Sequence, residues 1–65
     1  MIAMTVRELK TNKLISTGLV DDNWWNVYLD SARFSGRKVE YHGDNSFSIT
    51  YSEKNKIYTF SRDNK

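Results

Sequence analysis

His42 is the only histidine in a chain of 65 residues, and Asp44 follows it two positions later. An imidazole and a carboxylate make at most part of a zinc site, which takes three or four protein ligands. No third ligand is in view, and there is no cysteine to supply a thiolate. His42 therefore reads as a surface residue beside a turn. Asp21 and Asp22 are adjacent, so their carboxylates diverge; they read as a cap or loop pair, not as an acid–base couple. Serines are plentiful, but none stands in the GxSxG elbow that exposes a nucleophile. With three glycines in all, no loop is built to cradle phosphate. The expectation is a non-catalytic protein with no metal and no cofactor.

What the chain does offer is contact chemistry. Trp24 and Trp25 stand side by side. Neighbouring residues point to opposite faces of a strand and lie about 100° apart on a helix, so one thin core cannot take both rings. Trp25 is expected to anchor the core and Trp24 to face outward, with Tyr28 completing a contact patch. Arg33 lies nearby in sequence, and Trp, Tyr and Arg are the residues enriched at interface hot spots. Arg37 and Lys38 add positive charge to the candidate binding set.

Charge alone singles out no partner. Ten Lys and Arg face eight Asp and Glu, for a net charge of +2, with the signs mixed along the chain. That is too weak to imply nucleic acid. The alternative to a protein partner is single-stranded DNA or RNA held on a sheet, with bases stacked on Tyr28, Tyr41 or Tyr58 and phosphates met by Arg37, Lys38, Lys54, Lys56 and Arg62. No apolar run reaches the roughly 18 residues of a membrane span. The opening MIAMTVRELK lacks the basic start and apolar stretch of a secretory signal, so a cytoplasmic location is expected.

These residues must be positioned by a single small domain, because a chain this short buries only about 60% of its unfolded surface. Thr5-Val6-Arg7-Glu8 has capping-box spacing, which predicts a helix from about Thr5, stopping at Gly18 or fraying near Thr11 and Asn12. From residue 37 the period is two. Val39 and Tyr41 share a face, as do Phe47, Ile49 and Tyr51, and again Tyr58 and Phe60. Gly43-Asp44-Asn45 and Glu53-Lys54-Asn55 supply short turns, so a three-stranded antiparallel meander over 37–62 follows. Residues 22–34 fit two periods. A strand would face Trp25, Val27 and Leu29 inward; a helix capped by Asp21 or Asp22 would stripe Trp25, Leu29 and Ala32. The aromatics and Val27 favour the strand.

The expected fold is α+β, with one N-terminal helix on an antiparallel sheet of three to four strands. The alternative is two helices and a three-stranded sheet, winged-helix-like in outline. Outer strands of such a sheet expose unpaired edges, a route to strand addition by a partner or to a homodimer. The MTVREL opening resembles that of short phage-encoded proteins in which a capped helix precedes a small sheet. That resemblance implies a small accessory protein that inhibits or modulates a host factor by occupying its surface.

Overall fold

Ile2, Met4 and Val6 alternate with Ala3, Thr5 and Arg7, and this period of two governs the N-terminus. The computed structural model describes residues 1–62, in which β1 (Ile2–Glu8) and β2 (Leu14–Val20) form an antiparallel hairpin. The expected N-terminal helix is thus replaced by two strands. Glu8 does not close a capping box: its carboxylate accepts from the Thr11 hydroxyl at 2.6 Å, its amide donates to the Lys13 carbonyl, and its carbonyl accepts the Asn12 amide. Asn12 takes the left-handed conformation (φ 62°) that closes the turn, one that asparagine tolerates. Gly18, expected as a helix stop, lies within β2.

The helix is the middle segment, α1 (Trp24–Phe34). Its inner stripe is Trp25, Leu29 and Ala32, all buried, while Val27 is exposed. The strand preferred for 22–34 would have put Val27 inside, so Trp25 shares its face with Leu29 and Ala32 instead. Backbone bonds open the helix, from Trp24 to the Asp21 carbonyl and from Trp25 to that of Asp22. Its other end is a Schellman closure. The Arg37 amide donates to the Ala32 carbonyl at 2.9 Å and the Gly36 amide to that of Arg33 at 3.1 Å. Gly36, at φ 71°, supplies the left-handed residue that this motif requires.

The meander stands as its alternation predicts: β3 (Val39–Tyr41), β4 (Ser46–Tyr51) and β5 (Lys56–Arg62), with one turn of 3-10 helix at Ser52–Lys54. The class is α+β, but the sheet has five strands in the order β2-β1-β5-β4-β3, all antiparallel. Paired residues share a face, so the register assigns both sides. Ile2, Met4 and Val6 of β1 lie level with Phe60 and Tyr58 of β5, then Phe47 and Ile49 of β4 and Val39 of β3. The helix covers this apolar side. The other side carries Thr5, Thr17, Thr59, Ser46, Ser48, Thr50 and Ser61. The core is one cluster of Ile2, Trp25, Leu29, Ala32, Phe47, Ile49 and Phe60.

Because β2 and β3 are the two edges, α1 links one edge of the sheet to the other. Eleven residues of helix span about 16 Å, against about 19 Å for the four gaps between five strands. One short helix cannot roof the whole sheet. On the helix side of β2, Val20 is half-buried but Ser16 and Gly18 are exposed, while Leu14, Thr17 and Leu19 are turned to the other side and exposed there. The β2 side is left bare.

Candidate interaction surface

Trp25 lies under the helix at 7% exposure, edge-on to Phe47 with centroids 4.7 Å apart and with the Arg62 guanidinium 4.1 Å from its ring centroid. Trp24 is 49% exposed. The division of labour between the tryptophans is therefore the expected one, delivered by a helix and not by a strand.

Tyr28 is less free than a patch residue was expected to be. It is half-buried and stacked on Phe60 at 4.5 Å, and Phe60 in turn packs on Phe47. Trp24, one turn earlier, lies 6.0 Å from Tyr28. The exposed ring thus stands on a pinned one. On the opposite flank Arg33 donates to the Tyr41 hydroxyl at 2.6 Å, and Tyr41 belongs to β3. Since Arg33 leans toward β3 and Tyr28 lies over β5, the Trp24–Tyr28 flank is turned toward the β1–β2 side.

The five candidate residues are consequently not one patch. Trp24 and Tyr28 are together. Arg33 is on the other flank, its guanidinium also 3.9 Å from Asp30. Arg37 lies 4.3 Å over the Tyr51 ring and pairs with Glu53, which covers an aromatic and neutralises its charge. The hydrogen bond from Arg37 holds the exposed Glu53 carboxyl below its ordinary value. Burial raises the Tyr51 phenol above its ordinary value, against the pull of Arg37. Lys38 is exposed beside β3, where its carbonyl accepts the Thr50 amide.

Two features escaped the sequence reading. The first is a hydroxyl chain on the open face: His42 Nε2 lies 2.8 Å from Ser48 Oγ, which lies 3.0 Å from Thr59 Oγ1. Ser48 is only 3% exposed, so its hydroxyl, shared between two partners, satisfies a buried polar site. The shared polar side of His42 and Ser48 was readable; their contact was not. The second is β2 itself, LISTGLV, an edge strand with no charged residue and with Leu14, Ile15 and Leu19 exposed. Its uncharged run was the available signal, hidden by the assignment to a helix.

On the open face, the register places no aromatic ring among the described residues. Tyr58 sits on the helix side, against Tyr51 and Phe60. Among the described residues no group of three or more His, Asp or Glu is placed to hold a metal ion, and no helix is long and apolar enough to cross a membrane. Comparison with known proteins returns no match, whether to a family model, a curated protein or a solved structure.

Proposed function

We propose that the protein is a non-catalytic binding module that recognises a protein partner stoichiometrically, as an inhibitor or modulator does when it occupies a surface. One observation carries the reading: Trp24 is half-exposed and rests on a Tyr28 that is itself pinned against the core by Phe60. A rigid aromatic loses little conformational freedom when it is buried by a partner, and it offers a large apolar area. On the same helix Val27 is also exposed and apolar, and the helix side of β2 carries the uncharged Ser16, Gly18 and Val20, which suits a protein surface better than phosphate.

Nucleic acid is the competing reading, and it needs rings beside free cations. Arg33 and Arg37 are engaged by Tyr41, Tyr51 and Glu53, which weakens it. The test compares wild type with Trp24→Ala in affinity capture from the source cell. The expected result is one partner retained by wild type and weakened by about 1 to 2 kcal/mol or more in the variant, at an unchanged melting temperature. Equal retention by the two would refute the assignment of the surface. Tryptophan emission is followed in parallel with single-stranded oligonucleotides. Quenching that fades as salt rises would transfer the surface to nucleic acid.

A further inference from the structure

Charges that mix along the chain are sorted by the fold. Three connections close one end of the sheet, and all three carry cations. The β1–β2 turn and its approach bring Arg7, Lys10 and Lys13, and the turn between β4 and β5 brings Lys54 and Lys56. The segment leaving α1 brings Arg37 and Lys38. The connections are tied to one another. The Leu9 amide donates to the Asn55 carbonyl at 2.9 Å and the Lys10 amide to Asn55 Oδ1 at 3.2 Å, while Arg37 pairs with Glu53. Seven of the ten Lys and Arg thus collect at one end. Among the described residues two carboxylates accompany them, and both are engaged: Glu8 by the Thr11 hydroxyl, Glu53 by Arg37. The connections at the opposite end hold Asp21, Asp22 and Asp44.

Apolar side chains stand beside these cations. Leu9 is 37% exposed, and Leu14 and the bulged Ile15, which has no partner on β1, are about half exposed. Phe34, the last residue of α1, is 96% exposed. We infer that this end of the molecule docks on an anionic lipid bilayer, its ammonium groups meeting acidic headgroups and its apolar side chains entering the interface. An anionic plane attracts a cluster of cations without demanding a fixed geometry. Lysine, a point charge on a flexible stem, supplies that attraction, and neighbouring apolar groups strengthen the contact by the area they bury.

Two other polyanions fit less well. Specific protein interfaces are enriched in arginine and depleted in lysine, whereas five of the seven cations here are lysines. Of the two arginines, Arg37 is committed to Tyr51 and Glu53, and Arg7 donates to the Asn12 carbonyl. Single-stranded nucleic acid needs rings among its cations. The turn lysines have Leu9, Leu14 and Ile15 as neighbours instead, and the Tyr51 ring lies under Arg37. Trp24 belongs to the acidic end, where its amide donates to the Asp21 carbonyl, so the basic end is a separate surface and its assignment stands whatever Trp24 binds.

Flotation of the full chain with lipid vesicles tests the assignment. Vesicles of phosphatidylcholine and phosphatidylserine at about three to one are expected to carry the protein at low salt, and pure phosphatidylcholine vesicles are not. Raising salt to about 0.5 M should weaken binding at least about tenfold. The double variant Lys10→Glu, Lys13→Glu should lower the partition coefficient at least about tenfold at an unchanged melting temperature. The double variant Leu14→Ser, Ile15→Ser should lower it about threefold with charge unchanged, and Asp44→Asn, at the opposite end, should leave it as it is. Because Trp24 lies away from the basic end, the tryptophan emission maximum should not shift on the vesicles. No flotation with anionic vesicles, equal binding to neutral ones, full binding by either double variant, or a blue shift of emission would each overturn the docking. Tighter binding to duplex DNA than to the vesicles, at equal salt and phosphate concentration, would overturn it in favour of nucleic acid.

Discussion

Four strands of the sheet contribute buried or half-buried side chains to the packed side, and the fifth, β2, is a largely bare ledge, although a continuous ladder through β1 joins it to them. On the β5-β4-β3 side, Phe47, Ile49 and Phe60 are fully buried beneath Trp25, Leu29 and Ala32. On β2, Leu14, Ile15 and Leu19 have comparable apolar side chains but are 49 to 69% exposed, and the register turns Leu14 and Leu19 to the side of the sheet away from the helix. The hydrophobic effect scales with area removed from water, so similar residues contribute very differently in the two regions. Stability is concentrated where the helix lies. The ledge is held by backbone pairing to β1, which leaves its side chains available for contact.

The largest effect that follows is a contrast between truncations. Phe47→Ala removes a ring that touches Trp25 and Phe60 and should cost about 3 to 5 kcal/mol. For a domain this small that approaches the whole stability. Leu19→Ala, at a site 69% exposed, should change stability by no more than about 0.5 kcal/mol. Urea unfolding of both variants at a concentration where the protein is monomeric checks the contrast. Similar losses would mean that the ledge is packed after all.

A second contrast uses two glycines. Gly36 ends the helix at φ 71°, and a side chain there meets the steric penalty of the left-handed region, so Gly36→Ala should cost about 1 kcal/mol. Gly18 lies in a strand with open space where a Cβ would go. Gly18→Ala should therefore be neutral or stabilising by a few tenths of a kcal/mol, since the unfolded chain loses freedom. Thermal melts with opposite signs are the expected outcome.

The sequence was most readable where local period and short turns agree. Phe47, Ile49 and Tyr51 alternate with serine and threonine between two tight turns, and the meander follows with no knowledge of the rest. The N-terminus was misread because Thr5 and Glu8 satisfy a helical spacing while Ile2, Met4 and Val6 satisfy a strand spacing. Pairing with β5, more than fifty residues away, decides between them, and no local pattern reports it. The middle segment turned on two residues: Val27 supports a strand and Ala32 a helix. Once β1 occupies the place beside β5, only a helix can carry the chain from edge to edge, and the Trp25, Leu29 and Ala32 stripe becomes the inner one. Trp24 as the outward ring was legible under either period. The separation of Arg33 and Arg37 from it was not, because it depends on Tyr41 and Tyr51, which arrive from other strands.

The smallest expected effect is a pH response confined to the covered region. Arg37 bridges the Tyr51 ring and the Glu53 carboxylate where the chain leaves the helix. Its hydrogen bond lowers the Glu53 pKa below the ordinary 4.5. A carboxyl lowered in the folded state contributes its full stabilisation above the unfolded value and loses it as pH falls through the folded one. The difference in melting temperature between wild type and Glu53→Gln should therefore be constant near neutrality and shrink as pH drops below about 4.5. Because Glu53 is exposed, about 1 M salt should shrink the same difference at neutral pH. Amide shifts locate the effect. Acid titration should move Arg37 and Tyr51, which touch the pair, and leave Thr17 and Leu19 in place. Movement of the β2 amides with the same midpoint would show that the ledge is coupled to the core more tightly than one backbone ladder allows.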